Sequence, residues 1–402
     1  MKPVYIYDAI RTPRARAKDS GGLHELRPHD LLKALYQALE QRTGLDPVLV
    51  GDVLLGCVTQ QGDQAGNIAK TSTLYAGWPS SVGGLTINRF CSSSVDAISI
   101  AAMKIATGQE QAVIAGGVEM MSRVPMLSDK ATVFSDPSFA AECRMLMMGS
   151  GADLIASLNG VSREQADAVA VLSQQRAEHA RQAGYFKSIV PIHNPVKGIT
   201  VAEDECIRGG TTAASLAEMP PVFAGLGAKG VDALQLAGHP QLSAVSHVHT
   251  AGNSPAMADA AAVMLLGDES LGEQLSVKPR AKILAAATAS DDPLQVLSGC
   301  VAATQKLMKQ QDLKSRDVDL FELHEAFAAT VVKCQQDLGI PMDKLNVNGG
   351  VIALGHPMGA TGAIMAGVLL DELERRQQRL GIVAASGAAG AGSALLIERM
   401  QA

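Results

Sequence analysis

At 402 residues, with 47% hydrophobic and 18% charged side chains, the chain is long enough for two or three packed units and able to bury a core. Its formal charge of −6 gives no general attraction to nucleic acid or an anionic membrane, although it leaves room for a local basic patch facing an anionic ligand. The six cysteines, at 57, 91, 143, 206, 300 and 334, form no Cys-x-x-Cys pair and no Cys/His cluster of zinc spacing. No metal site and no disulfide framework is therefore expected, and reduced thiols in a cytoplasmic compartment are.

The chain opens on a predicted strand, Val4 to Ala9, followed by Arg11-Thr12-Pro13-Arg14. No basic start precedes an apolar block and no apolar stretch reaches membrane-spanning length, so neither export nor a membrane span is expected. Asp30 to Arg42 predicts a helix with Leu31, Leu35 and Leu39 on one face. Asp52 to Val58 and Gly84 to Phe90 read as strands, Ser92 to Ala106 as a helix, and Val113 to Gly117 as a short buried strand. From Arg123 to about Ser246 the pattern loosens around one clear helix, Arg163 to Ala183, as an insertion carrying binding loops would. Residues 280 to 402 then repeat the opening pattern. Asp319 to Leu323 matches Asp52 to Leu55, Leu345-Asn346-Val347-Asn348 matches Leu85-Thr86-Ile87-Asn88, and Ile382 to Ser386 answers Val113 to Gly117. Two βαβ-type halves facing each other predict a layered α/β structure with a site between them.

Four segments carry candidate chemistry. Cys91 follows a strand and precedes a helix, where the dipole and free N–H groups lower a thiol pKa from ~8.5 and favour the thiolate. His356, in the glycine-rich turn Gly355-His356-Pro357-Met358-Gly359, is placed to take a proton from a nearby thiol. His324 stands at a strand end, where α/β folds put site residues, in His324-Glu325-Ala326-Phe327-Ala328. The last, Ser386-Gly387-Ala388-Ala389-Gly390, is a tight turn able to aim N–H groups at an oxyanion.

Taken in order, these segments resemble the thiolase family, and the likeness spans essentially the whole chain. It includes Arg11-Thr12-Pro13, Gly116-Gly117-Val118-Glu119-Met120-Met121-Ser122, Thr250-Ala251-Gly252-Asn253-Ser254 and Asn346-Val347-Asn348-Gly349-Gly350. Leu23-His24-Glu25 and His247-Val248-His249-Thr250 are similar to the β subunit of bacterial fatty-acid oxidation complexes. The resemblance implies a duplicated αβαβα fold: an N-terminal half over residues 1–122, completed by about 246–275, a loop domain over 123–245, and a C-terminal half over 276–402. It further implies a homodimer or homotetramer in the cytoplasm, with coenzyme A as a substrate rather than a bound cofactor, and a hydratase/dehydrogenase α subunit as partner.

Residue by residue, the resemblance makes Cys91 the acylated nucleophile and His356 its base. His324 would stabilise the enolate oxygen, and the Ala388 turn would hold the other oxyanion. Met148, Ser254, Ala326 and Phe327 match positions lining the acyl and pantetheine tunnel. The reaction implied is cleavage of a 3-ketoacyl-CoA by CoA, or the reverse condensation. Three departures stand out: His324 where the common motif has Asn, Pro255-Ala256 after Asn253-Ser254, and Ser386 where the family has a second catalytic Cys. The last leaves an alternative, a condensing enzyme or a weakly active CoA-binding subunit.

Overall fold

The structure is a computed structural model describing residues 1–401. Twelve strands are found: β1 (Tyr5–Arg11), β2 (Ala15–Arg16), β3 (Asp52–Gly56), β4 (Leu85–Ile87), β5 (Ala112–Met120), β6 (Ile192–Asn194), β7 (Ile199–Val201), β8 (Ala258–Gly267), β9 (Ala281–Ser290), β10 (Leu320–Leu323), β11 (Leu380–Ser386) and β12 (Ala391–Arg399). Apart from the β6–β7 hairpin they form one mixed sheet, in the order β10-β11-β12-β9-β1-β8-β5-β3-β4 with β2 beside β8. The halves run in the same internal order: β9 takes the place of β1, β12 of β8, β11 of β5 and β10 of β3. They join where β1 meets β9, through only the pairs Tyr5↔Lys282 and Ile6↔Ala281.

The repeat read from the sequence departs from this at one element. Leu345 makes a single parallel bridge to Phe321 instead of forming a counterpart to β4. Asn346 sits at φ 46°, outside the strand region. Its side chain replaces the missing ladder, accepting from Leu323 N at 2.8 Å and donating to Leu323 O at 2.9 Å. The end of β10 is thereby fixed one residue before His324.

Two helices, Ser93–Ala106 and Thr361–Arg376, lie between the halves. Val95, Ile98 and Ile105 share one core with Ile364, Val368 and Leu370, packed against Val113 and Ala115 on one side and Val383 and Ala385 on the other. Helix Pro28–Thr43 covers the outer face of the first half through Leu31, Leu35 and Leu39, and Gly299–Gln310 and Ala328–Leu338 cover the second. The result is five layers, αβαβα. Small residues make its centre possible. A Cβ on Gly117 would stand 2.3 Å from Gly359 O, and one on Gly359 would stand 2.8 Å from Gly56 O. Strand ends of the first half therefore approach the turn after His356 closely enough to touch backbone to backbone.

Residues 123–245 hold more helix than their sequence suggested. Arg163–Gln182 starts at a capping box, with Ser162 Oγ accepting from Gln165 N and Gln165 Oε1 from Ser162 N. Met148–Leu158 is a second helix, buried from Gly149 through Ala156. Gly149 and Gly151 in its first turn weaken the helix signal, and its 11 residues offer only three turns of apolar period to read. The region is tied to the amino-terminal strand by a buried bidentate pair, Arg11 to Asp204 at 2.6 and 2.8 Å. Among the described residues, no helix is long and apolar enough to cross a membrane.

Candidate active site

Cys91 is set by a tight connection between β4 and helix Ser93–Ala106. Phe90, immediately before it, occupies the left-handed region at φ 50°, a conformation that costs a non-glycine residue roughly 1 kcal/mol. Local bonds hold it there: Asn88 Oδ1 accepts from Phe90 N, and Ser93 Oγ accepts from Arg89 N, each at 2.8 Å. Ser92 then ties the turn to the other half by donating to Ala385 O at 2.7 Å. Cys91 lands just ahead of the helix at the wall of a cavity.

His356 comes to it from the second half. The short helix Val351–Leu354 ends at Gly355, whose φ of 95° turns the chain, and His356 N donates to Ala256 O at 2.8 Å. The ring spans Cys91 and Thr361, with Nε2 3.1 Å from Cys91 Sγ and Nδ1 2.8 Å from Thr361 Oγ1. A proton on Nδ1, shared with Thr361, leaves the Nε2 lone pair facing the thiol. Thr361 was not singled out in the sequence; a hydroxyl five residues after the histidine, opening a helix, was the available signal.

Glu119 was quoted for the family likeness but given no role. Buried on β5, it accepts from Val58 N, Thr59 N, Gln64 Nε2 and Gly359 N at 2.7–3.1 Å. These four N–H donors favour the carboxylate, against burial, which pushes the Glu119 carboxyl above its ordinary range. It stitches the Cys57–Thr59 segment to the His356 turn, and so one half to the other.

Electrostatics correct one expectation. Burial pushes the Cys91 thiol up to about 12, with the Glu119 charge adding to the rise. Burial, with His324 and Arg14 nearby, holds His356 well below the ordinary imidazole range. Desolvation therefore outweighs the helix terminus, and the resting pair is a neutral thiol beside a neutral imidazole instead of a preformed thiolate. The proton crosses to His356 as the sulfur attacks.

His324 follows β10 and is also buried, its ring centroid 4.6 Å from that of His356. Its Nδ1 stands 3.2 Å from Ser386 O. A carbonyl only accepts, so the neutral ring carries its proton at Nδ1, and Nε2 is a bare lone pair without a partner. Burial pushes its protonation down to about 4. The neutral ring thus offers the cavity no N–H, contrary to the expectation that His324 donates to an enolate oxygen.

Cys91, His324 and His356 open together on a cavity of about 670 Å³. Met148, Ser254, Ala326 and Phe327 all line it, and Phe223 meets Phe327 edge to face with centroids 5.8 Å apart. The sequence reading missed Phe223, the thiol of Cys206, and three exposed cations at the rim, Arg16, Lys18 and Arg208. Arg16 and Lys18 close a basic stretch, Arg11-Thr12-Pro13-Arg14-Ala15-Arg16-Ala17-Lys18, that the sequence displayed, while Arg208 joins them from far along the chain.

Ser386 does not reach this cavity with its hydroxyl. It is fully buried, donating to Leu297 O at 2.7 Å and accepting from Cys300 N at 2.9 Å. The end of β11 faces the site with the Ser386 carbonyl, which holds His324. Ala388 is buried behind the wall, and its N–H, like that of Cys91, is paired with no other described residue.

A cysteine and an imidazole brought together at the seam of two duplicated halves, opening on a largely apolar cavity, define an enzyme of acyl transfer. Comparison with known proteins makes this specific. The family description "Thiolase, N-terminal domain" matches residues 4–270, and "Thiolase, C-terminal domain" matches 277–399. The chain is 40% identical over 410 residues to a 3-ketoacyl-CoA thiolase of Shewanella sp. (strain W3-18-1), covering all of both chains. It is 36% identical over 409 residues to that of Colwellia psychrerythraea, again end to end. The crystal structure of the Bacillus anthracis acetyl-CoA acetyltransferase superposes with a TM-score of 0.86 at 33% identity, over 100% of this chain and 99% of that one. The chain belongs to the thiolase family.

Proposed function

We propose that this thiolase cleaves a 3-ketoacyl-CoA with CoA to acetyl-CoA and a shortened acyl-CoA, through an acyl group carried on Cys91. The reading rests on one observation, the 3.1 Å approach of His356 Nε2 to Cys91 Sγ at the cavity wall. His356 takes the thiol proton as sulfur attacks the 3-keto carbon, and Thr361 keeps its ring in the tautomer that can do so. The unpaired N–H of Cys91, at the cavity wall, holds the oxyanion, such a donor being worth about 3 kcal/mol. CoA serves as substrate, and the cations at the cavity rim suit its phosphates. The name shared by the relatives does not favour a condensing enzyme or a weakly active CoA-binding subunit.

The test is incubation with a 3-ketoacyl-CoA and CoA, following the magnesium–enolate absorbance. Loss of absorbance with formation of acetyl-CoA is expected. Unchanged absorbance alongside an acylated Cys91 would remove thiolysis and retain acyl transfer.

A homodimer or homotetramer belongs to the same proposal. Strand β4 ends the sheet with one edge unpaired and Leu85 43% exposed, and a second copy would cover such an edge. Sedimentation should give at least a dimer; a stable monomer at micromolar concentration would remove this part. A place in fatty-acid β-oxidation and a hydratase/dehydrogenase α subunit rest on the likeness of residues 23–25 and 247–250, and a cytoplasmic location on the cysteine usage.

A further inference from the structure

Thiolysis needs a proton on C2 of the departing acetyl group, and condensation needs one removed. Ser386, which aligns with the family's cysteine for that step, has its hydroxyl committed to Leu297 O and Cys300 N on the far side of the wall. A different group has to face C2. Of the titratable side chains lining the cavity, Arg16, Lys18 and Arg208 are cations at the exposed rim, and Cys91 is occupied by the acyl group with His356 beside it. Cys206 is a thiol that burial pushes up to about 11, so at rest it is no base for the methyl proton that condensation removes. His324 remains. Its Nδ1–H is fixed on Ser386 O, and its Nε2 is a buried acceptor with no partner. That lone pair stands on the wall of the cavity in which the acetyl group has to lie.

We propose that His324 is the acid–base residue for C2, with the Nε2 lone pair taking and returning the proton that makes and quenches the enolate. The proposal rests on the thiolase reading above. In condensation, Nε2 takes a proton from the methyl carbon of acetyl-CoA, and the C–H electron pair becomes the enolate. C2 then bonds to the acyl carbon on Cys91. The C–S bond breaks with its electrons on sulfur, and the proton passes from His324 to His356 and on to the Cys91 thiolate. Thiolysis runs the same steps backward. The proton His356 takes from Cys91 is the one C2 gains, relayed between rings whose centroids are 4.6 Å apart. No other proton source is needed.

Two readouts separate this role from the thiolase reading itself. Intact-mass spectrometry after mixing with an acyl-CoA reports the Cys91 adduct, and deuterium uptake into the methyl group of acetyl-CoA in D₂O reports proton transfer at C2. In His324→Ala and His324→Gln, the adduct should form as in the wild type while exchange slows about 10²–10⁴-fold. Added imidazole should restore part of the exchange in His324→Ala, which a scaffold role would not allow. Wild-type exchange in either acylating variant would overturn the proposal. So would its loss in Cys206→Ala or Ser386→Ala with His324 intact, or its absence from the wild type. Loss of adduct and exchange together in both His324 variants would make the ring a support for the site, and also overturn it. A wild-type protein that forms no Cys91 adduct would sink the thiolase reading, and this role with it.

Discussion

Cys91→Ala should abolish the acyl adduct and lower thiolysis by about 10⁶-fold, the scale on which removing a catalytic nucleophile acts elsewhere. No other residue can carry the acyl group from the same place. Cys91 owes its position to the Phe90 turn at φ 50° and to Ser92 bonding Ala385 O across the seam. Neither depends on the Cys91 side chain, so the variant should fold with stability within about 1 kcal/mol of the wild type. The sulfur's hydrogen-bond partner is His356, and it faces a cavity, so its loss leaves little new void. Intact-mass measurement after acyl-CoA treatment decides the point. A full-strength adduct on another thiol, Cys206 being the one that shares the cavity, would take the role from Cys91.

His356→Gln should lower the rate of Cys91 acylation about 10²–10⁴-fold, the usual loss on removing a general base. Glutamine can preserve part of the hydrogen bonding but cannot accept the proton. The neutral resting pair adds a pH signature. A thiol held at about 12 is protonated through the physiological range, and its thiolate fraction grows about tenfold per pH unit below that value. Alkylation of the free wild-type enzyme at Cys91 by iodoacetamide should therefore climb steadily between about pH 7 and 10. A preformed thiolate–imidazolium pair would instead react at a rate nearly independent of pH down to mildly acidic values. Such a plateau would show that His356, not burial, sets the ionisation of the sulfur.

Residue order made much of this legible. Cys91, His324 and His356 stood out because each follows a strand or turn in a duplicated pattern, and Met148, Ser254, Ala326 and Phe327 were found by likeness to one family. All seven line one cavity. Helices with an amphipathic period, such as Pro28–Thr43 and Arg163–Gln182, were read nearly to their ends. Met148–Leu158 was not, because it opens on Gly149 and Gly151, which read as loop. Ser386 aligned with a catalytic position while its hydroxyl turned away, since alignment fixes the place of a residue along a strand and not the hydrogen bonds its side chain finds.

The sequence by itself showed the duplicated α/β plan, through periodicity, and through likeness to one family it marked Cys91 and His356 as a nucleophile and its base. Tertiary structure alone decided the protonation states and the direction each group faces. Burial keeps Cys91 a thiol, and the Ser386 carbonyl pins the His324 proton to Nδ1. Both depend on which atoms from distant parts of the chain surround a group once water is gone, and no local pattern of residues encodes that.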